Sequence, residues 1–407
     1  MDGIGVVSVR RSLLNESDRV PAEDGQGAGR RAAGEPAELL VSVAEAEQRA
    51  EARLTPQVWD FIAGGSGEEL TRQANRAALD DVYLVPRVMT GISTCDPAAM
   101  LVGCETALPV AVAPMAYQRM IHPDGELALA TACEQARVPY TAAMLSSVTI
   151  EQIAVVGGCL WLQLYWLRDR GLMIELVRRA EAVACRALVL TVDVPELGRR
   201  LRDLRNGFTF PDGIYPANLA PDGDASLARR RGRGESAVAS HTAAIFDPTL
   251  SWSDVAWLAG QTSLPLILKG ILDADDARRA ADLGVAAIVV SNHGGRQLDG
   301  AVPSITALGP IVDAVGGRCE VMLDSGVRGG LDVLKAVALG ATGAMLGRPA
   351  LWGLAIGGAA GAASVLALLA EEFRQAMTLA GCAHLAAAGS LRVTTRHGPA
   401  RPGGKPR

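Results

Sequence analysis

Eight short runs of apolar and β-branched residues, separated by longer stretches with helical periodicity, constrain the fold of this chain more than any other feature. The runs are 109–116, 138–144, 161–166, 187–193, 265–270, 286–292, 320–326 and 343–349. Nearly continuous apolar strands need helices on both faces of a parallel sheet, so eight repeats predict a closed (β/α)8 TIM barrel. The chain has 407 residues, 49% of them hydrophobic, which is enough for one large core.

The segments outside these repeats set the predicted domain boundaries. Residues 1–40 mix charged residues, Gly and Pro without apolar periodicity and lack the apolar core of a signal peptide, which predicts a disordered extension. Residues 41–388 are expected to form the barrel domain, and residues 389–407 a flexible tail. A long interval separates the fourth strand from the fifth, and its polar, Gly-rich part, 206–244, predicts a mobile lid loop.

Charge and cysteine content narrow the possible functions. The formal net charge is -5 and the pI is about 5.7, which argues against nucleic acid as a partner. The seven cysteines are odd in number and lack CxxC or zinc-type spacing, so we expect a reduced, cytoplasmic protein without a metal site. Residues 351–370 carry no charge and could span a bilayer by length, but their position after a strand and turn favours a buried helical hairpin over a membrane segment.

Polar side chains collect at the carboxyl ends of six predicted strands, where barrels of this class hold their active sites. They are Gln163, Tyr165, Thr191, Asp193, Lys269, Ser291, Asn292, His293, Asp324, Gly347 and Arg348. A buried charge without a partner costs roughly several kcal/mol, so each such residue needs a partner or a ligand. Structural ion pairs would explain one or two of these strand ends, but not all six.

The sixth strand end places a base beside a carboxylate-binding group, since His293 and Arg296 lie three residues apart on a Gly-rich turn. The unperturbed pKa of His lies near neutrality and Arg can bind a carboxylate with two hydrogen bonds, which suits proton abstraction next to a carboxylate. The next two strand ends carry glycine turns with two arginines and predict a phosphate site formed by Asp324, Ser325, Gly326, Arg328, Gly347 and Arg348.

Five motifs occur in an order that resembles the FMN-dependent α-hydroxy acid oxidases and dehydrogenases. They are T-V-D-V-P-x-L-G-R-R, Q-L-Y, L-K-G, S-N-H-G-G-R-Q-L-D and D-S-G-V-R-G-G, and the resemblance covers about residues 44–388. Longer strings, such as T-P-Q-V-W-D-F-I-A-G-G-S-G, resemble the branch of the family that oxidises 4-hydroxymandelate in actinobacterial glycopeptide-antibiotic pathways. The resemblance implies FMN as cofactor, a small 2-hydroxy acid as substrate, dioxygen as electron acceptor and a homotetramer.

Site roles follow from the resemblance residue by residue. It makes His293 the base and Asp193 the carboxylate that stabilises its imidazolium, with Arg200 and Arg296 binding the substrate carboxylate and Tyr165 donating a hydrogen bond to the substrate. It also implies a set of flavin contacts, with Lys269 beside the N1/C2 carbonyl edge, where a cation stabilises the charge of the reduced ring. The remaining flavin contacts are Pro114, Met115, Ala116, Gln163, Thr191, Ser291, Asp324, Ser325, Gly326, Arg328, Gly347 and Arg348.

Three departures from the commoner family pattern concern the substrate pocket. Phe61 stands where many members have a carboxylate-binding Tyr, Ala143 replaces a Ser near the flavin, and Leu145 replaces a Trp that closes the pocket over small acids. These replacements make the pocket wider and more apolar, which favours an aryl substituent on the substrate, with Phe61 and Leu145 lining it.

The sequence therefore predicts oxidation of mandelate or 4-hydroxymandelate to the 2-oxo acid. Two alternatives remain within the family: a dehydrogenase that passes electrons to a quinone or carrier protein, and an oxidase of lactate- or glycolate-type acids. Ala116, where dehydrogenases have Gly, favours an oxidase by resemblance. A non-catalytic flavin-binding barrel is disfavoured by the intact set of site residues. The sequence leaves open whether His293 takes its proton from carbon or from the hydroxyl.

Overall fold

The computed structural model describes residues 40–219, 242–396 and 398–401. Apart from Leu40, the predicted N-terminal extension lies outside these ranges, as do residues 220–241 of the predicted lid. The described strands are β1 Val82–Val85, β2 Ala99–Leu101, β3 Cys104–Thr106, β4 Val110–Val112, β5 Tyr140–Ala143, β6 Leu160–Leu164, β7 Ala187–Thr191, β8 Leu266–Ile271, β9 Ala287–Val290, β10 Glu320–Leu323, β11 Gly343–Leu346, β12 Arg392–Thr395 and β13 Gly398–Arg401.

Strands β4 to β11 close into a barrel in sequence order, which confirms the predicted fold. Each neighbouring pair is parallel, and β9 to β10 and β11 to β4 complete the ring. All eight predicted runs contain a barrel strand, because buried β-branched and aliphatic residues pack on both faces of a parallel sheet. The barrel interior is filled by side chains such as Val189, Ile267, Val289, Met322 and Met345. It is therefore a packed core whose carboxyl-terminal mouth alone is left for a site.

The described helices either precede the barrel strands in the chain or alternate with them and follow them. They are α1 Val43–Arg53, α2 Pro56–Ala63, α3 Leu70–Asp80, α4 Gly125–Ala136, α5 Ile150–Ala154, α6 Arg170–Ala182, α7 Leu201–Asn206, α8 Trp252–Ala259, α9 Ala274–Asp282, α10 Ser304–Val315, α11 Gly330–Ala338, α12 Arg348–Leu379 and α13 Leu385–Ala388. Local caps begin several of them: Thr55 accepts the Val58 N–H at the start of α2, and Asp273 accepts two N–H groups at the start of α9.

Helix α12 is the one described helix that is long and apolar enough to cross a bilayer by length and composition. It packs on α1, α4 and α11, and its helical geometry breaks at Gly357 and Gly358. The segments on either side of the break lie so close that a Cβ on Gly353 would come within 2.7 Å of the Ala362 Cα. This close packing confirms the predicted buried helical hairpin.

Two expectations are corrected by the fold. The predicted flexible tail includes β12, which pairs antiparallel with β1 and is held by a backbone ladder. The expectation of fully reduced cysteines is wrong for Cys104 and Cys159, which form a disulfide. Cys104 follows the tip of the β2–β3 hairpin, and Leu101 and Val102 at that tip pack into the barrel interior. Because 55 residues separate the two cysteines, their spacing gave no sign that the fold brings them together.

Candidate active site

One large cavity opens at the carboxyl ends of the barrel strands. With the open solvent at its mouth included, the empty space in it amounts to about 1180 Å3. It is lined by most of the predicted site residues, which are Phe61, Pro114, Met115, Ala116, Leu145, Tyr165, Thr191, Arg200, Lys269, His293, Arg296, Asp324, Ser325, Gly326, Arg328, Gly347 and Arg348.

His293 and Asp193 form a buried pair at the mouth of the barrel. The His293 Nδ1 lies 3.0 Å from Asp193 Oδ1, so in the neutral ring Nδ1–H donates to the carboxylate and Nε2 is left to accept a proton. Burial lowers the pKa of His293 below its ordinary value, against the opposing charge of Asp193. The ring is consequently neutral at physiological pH, which is the state that a general base requires.

The backbone around this pair is adapted to the close approach. His293 has a φ of 59°, a left-handed conformation that is uncommon for a residue with a side chain. Gly270 has a φ of 111°, and a Cβ there would lie 2.6 Å from the Asp193 side chain. Glycine at 270 therefore gives the Asp193 carboxylate the space in which it meets His293.

The loop that carries His293 is anchored by the N-terminal helices. Asn75 of α3 and Asn292 exchange two amide hydrogen bonds of 2.8 and 2.7 Å. The Ser325 hydroxyl accepts the N–H groups of Asn292 and Gly294. These contacts fix the loop after β9 from two sides, so His293 is held in place before any ligand binds.

Lys269 has its partners within the site. Its Nζ lies 2.7 Å from Asp324 Oδ2 and 3.0 Å from the Ser291 hydroxyl, which in turn donates to Asp324. Burial alone would raise the pKa of Asp324, yet the charge and hydrogen bond of Lys269 lower it. Gln163 and Thr191 are joined by a 3.0 Å hydrogen bond. Gln163, Ser291 and Asp193 are predicted site residues that support the cavity's lining through these bonds.

Arg200 and Arg296 are buried cations close to the Phe61 ring. Their guanidinium carbons lie 5.6 and 5.4 Å from the centre of its ring. Burial and the charge of Arg200 lower the pKa of Arg296 to about 9, and burial lowers that of Arg200. Within the described part of the chain neither guanidinium pairs with a carboxylate. Two buried cations without a carboxylate partner form a site prepared for an anion.

Carbonyl groups at the end of α2 hold two of the arginines. Arg296 donates to the carbonyls of Phe61 and Gly64, and Arg348 donates to those of Ile62, Gly64 and Gly294. The last carbonyls of a helix have no partner within it and carry partial negative charge, which suits cationic donors. Helix α2 thus orients Arg296 and Arg348 without neutralising either.

Arg348 and Arg328 are a second pair of buried cations in the lining of the cavity. Arg328 lies over the Trp352 ring at 4.9 Å and its pKa falls to about 10 because of burial. The pKa of Arg348 falls well below its ordinary value through burial and the charge of Arg328. Among the described residues neither forms an ion pair with a carboxylate, so this pair is also suited to an anion.

The remaining wall of the cavity is aromatic and apolar. Phe61 stacks on Phe208 with ring centres 4.7 Å apart, and Phe210 lies 4.4 Å from Tyr117. Leu145 is buried at the same wall, and Phe246 stacks on Tyr165 at 4.5 Å. Phe208 and Phe210 belong to the predicted lid, whose described beginning is packed against the barrel mouth. This wall can hold an apolar group next to the arginine pair.

A model of the family described as FMN-dependent dehydrogenase matches residues 50–395, which include every strand of the barrel. The chain belongs to that family. Over 351 residues it is 53% identical to 4-hydroxymandelate oxidase of Amycolatopsis orientalis, a match that covers 86% of this chain and 97% of that protein. It is 44% identical over 350 residues to L-lactate oxidase of a Nostoc species, covering 85% and 95%.

A solved structure extends the similarity to three dimensions. A mandelate oxidase crystallised with (S)-4-hydroxymandelic acid matches with a TM-score of 0.85 and 52% sequence identity. The match covers 88% of this chain and 99% of that one. The two proteins therefore share their fold over most of both chains.

FMN is the cofactor of this family, and the chemistry of the cavity fits it. The unpaired cations Arg328 and Arg348 would hold the phosphate, at the barrel end where such folds bind one. Lys269 would stand near the ring edge that becomes negative when the flavin is reduced. Pro114, Met115 and Ala116, which follow β4, would lie along the ring. The individual roles of these residues stay predictions.

Sequence reasoning missed several residues of the site, of which four matter most to its geometry. Tyr117 and Phe246 line the cavity, Asp203 lies near the arginine pair, and Gly270 gives Asp193 its space. The Asp203 side chain is 1% exposed. Burial raises its pKa, and the opposing charge of Arg200 only partly offsets this effect. Gly270 was present in the L-K-G motif, but its role depends on a contact between two strands. The other three carry no local signal, since their meaning depends on which loop covers the mouth.

Proposed function

We propose that this protein oxidises an aryl 2-hydroxy acid, mandelate or 4-hydroxymandelate, to the 2-oxo acid, with dioxygen as the electron acceptor. The observation that carries the proposal is one cavity that combines a neutral buried base, two unpaired arginines and an aromatic wall. The substrate loses two protons and two electrons from its hydroxyl group and α-carbon. Dioxygen takes up the two protons and two electrons and leaves as hydrogen peroxide.

Binding and orientation belong to the arginine pair and Tyr165. Arg200 and Arg296 bind the substrate carboxylate, because both are buried cations that form no direct ion pair among the described residues, although Asp203 lies nearby. The hydroxyl group of Tyr165 donates to the substrate, and the stacking of its ring on Phe246 fixes it in position. These contacts direct the α-carbon and its hydroxyl group towards His293.

Proton transfer belongs to His293 and Asp193. The free Nε2 of His293 accepts the proton, and the Asp193 carboxylate stabilises the imidazolium that results. Bound FMN supplies the two-electron acceptor. Lys269, a buried cation in the cavity lining, would stabilise the negative charge that reduction places on a bound flavin.

The apolar wall favours an aryl substituent over a methyl group or hydrogen. Phe61 and Leu145 provide the surface against which a phenyl group packs, and Phe208 and Phe210 support Phe61. The similarity to 4-hydroxymandelate oxidase and to mandelate oxidase supports the same substrate class. A second candidate, oxidation of L-lactate, is favoured by the similarity to an L-lactate oxidase.

Oxygen consumption by the purified flavoprotein tests the proposal. We expect (S)-4-hydroxymandelate and (S)-mandelate to drive oxygen uptake with one peroxide formed per oxygen consumed, and lactate and glycolate to be poor substrates. Substrate turnover with a quinone dye but without oxygen uptake would show the dehydrogenase alternative. Oxygen uptake with lactate alone would establish the second candidate instead.

Three further features remain predictions. We expect a homotetramer, a cytoplasmic location and a role in antibiotic biosynthesis, all by resemblance to the family. The first is measured by light scattering of the purified protein.

A further inference from the structure

Tyr117 lies in the wall of the cavity on a constrained loop. It follows the Pro114–Ala116 segment after β4 and has a left-handed backbone with a φ of 56°. Its N–H donates to the Leu145 carbonyl at 3.2 Å, which joins the loops after β4 and β5. The ring therefore has a fixed position next to Leu145, the residue that replaces the pocket-closing Trp of many family members.

The hydroxyl group of Tyr117 has no hydrogen-bond partner among the residues that the structure describes, although the side chain is only 1% exposed. A buried hydroxyl group without a partner is unfavourable, and native structures rarely keep one without a reason. Tyr140, a neighbouring buried tyrosine, shows the ordinary arrangement, since its hydroxyl group accepts a hydrogen bond from Gln118 at 3.0 Å. The unpaired hydroxyl group of Tyr117 thus calls for a ligand.

The surroundings of this hydroxyl group belong to the substrate end of the cavity. Phe210 packs on the Tyr117 ring at 4.4 Å and on Phe61 at 6.5 Å. The Phe61 ring also contacts Arg200 and Arg296. Burial, and to a lesser extent the nearby Tyr165 phenol, raises the pKa of Tyr117, so the group is a neutral hydrogen-bonding phenol.

Phe61 stands between two sites of different chemistry. Arg200 and Arg296 lie near its ring, and Phe210 connects it to the Tyr117 ring, whose Oη has no hydrogen-bond partner among the described residues. A 2-hydroxy acid bound by its carboxylate would extend its substituent along Phe61 towards that atom. A phenyl ring fills this apolar space, and a hydroxyl group at its far end would supply the missing partner.

We propose that Tyr117 is a specificity-determining residue whose hydroxyl group forms a hydrogen bond with a phenolic hydroxyl on the aryl ring of the substrate. This inference rests on the proposed oxidation of aryl 2-hydroxy acids and selects 4-hydroxymandelate over mandelate within that class. Mandelate is turned over less efficiently because it leaves the buried Tyr117 hydroxyl group unpaired.

The test is the ratio of kcat/KM for (S)-4-hydroxymandelate to that for (S)-mandelate. In the wild type we expect this ratio to be about 10 or more, the scale of one buried hydrogen bond. Tyr117→Phe should bring the ratio to about 1 by lowering turnover of the phenolic acid alone. Tyr140→Phe is the matched control, because it removes a buried phenol hydroxyl outside the cavity and should leave the ratio unchanged.

A binding measurement keeps the test independent of turnover. Titration of each FMN-loaded variant with 4-hydroxybenzoylformate and benzoylformate, followed by the flavin spectrum, should show the same loss of discrimination in Tyr117→Phe. If both aryl acids are substrates but Tyr117→Phe keeps the wild-type ratio, the Tyr117 proposal is wrong and the proposed function stands. If neither aryl acid is a substrate, both are wrong.

Discussion

The two ends of the active-site cavity are built from different parts of the chain. The chemical end, with His293, Asp193 and Lys269, comes from strand ends of the barrel, and each of these side chains has a partner within the protein. The substrate end is lined by Phe61 of α2 and by the loop residues Leu145 and Tyr117, and the Tyr117 hydroxyl group has no partner among the described residues. The difference supports the proposal that the barrel provides the reaction and the covering segments provide the selectivity.

The largest effect is expected at the base. His293→Ala removes the proposed proton acceptor. It keeps Arg200 and Arg296, which are proposed to bind the substrate carboxylate, and Arg328 and Arg348, which are predicted to bind the FMN phosphate. We expect FMN content to stay close to that of the wild type while the rate of anaerobic flavin bleaching falls by at least ~10²-fold, the scale of general-base catalysis. Stopped-flow absorbance measures this rate, and near-normal bleaching would remove His293 from the role of base.

Substitution of Arg348, a predicted ligand of the FMN phosphate, should weaken cofactor binding. Arg348 is a buried cation whose bonds all go to backbone carbonyls, so its charge is available for an anion. Arg348→Ala should weaken FMN binding by roughly 1.5–3 kcal/mol, the range of a charge-assisted hydrogen bond. Flavin fluorescence on release reports the dissociation constant. Arg278→Ala, which removes an exposed arginine, is the control, and equal affinity in both variants would contradict the assignment.

Substitution of Gly270 tests whether the reaction depends on the close approach of Asp193 to His293. Gly270→Ala would push the Asp193 carboxylate away from His293, because the new Cβ would meet it at 2.6 Å. We expect bleaching to slow by about 10-fold, within the range for small misplacements of catalytic groups. Gly284→Ala is the matched control: its φ of 76° is also left-handed, but open space surrounds it. Equal slowing of flavin bleaching in both variants would show that backbone strain alone, and not displacement of Asp193, causes the effect.

The smallest of the expected effects concerns the pH dependence of kcat/KM. Only neutral His293 can accept a proton, so kcat/KM should fall as pH drops through its pKa, which burial places below the ordinary value of about 6.5. Asp193 raises this pKa, so Asp193→Asn should move the acidic limb to lower pH while lowering the plateau rate. A limb that moves to higher pH would contradict the geometry of the pair.

The two ends also differ in how far the sequence predicted them. The barrel and its chemical end were predictable, because buried strands leave long apolar runs and the residues after them are read from the chain directly. Helix α2, the Phe208–Phe210 region and Tyr117 reach the cavity through tertiary packing that no local pattern encodes. The same reason applies to the Cys104–Cys159 disulfide and to β12, whose partner β1 lies far away in the sequence.

The ratio of kcat/KM for (S)-mandelate to that for L-lactate, in the wild type and in Leu145→Trp, tests the central claim most directly. We expect the wild type to prefer mandelate by at least ~30-fold, since burying a phenyl group contributes roughly 2–3 kcal/mol. Leu145→Trp should reduce this preference by filling the apolar wall while Arg200 and Arg296 remain in place, whereas Leu379→Trp, at an exposed leucine, should not. A wild type that prefers lactate, or a Leu145→Trp variant that slows both acids equally, would contradict the division of the cavity into a chemical end and an aryl-selective end.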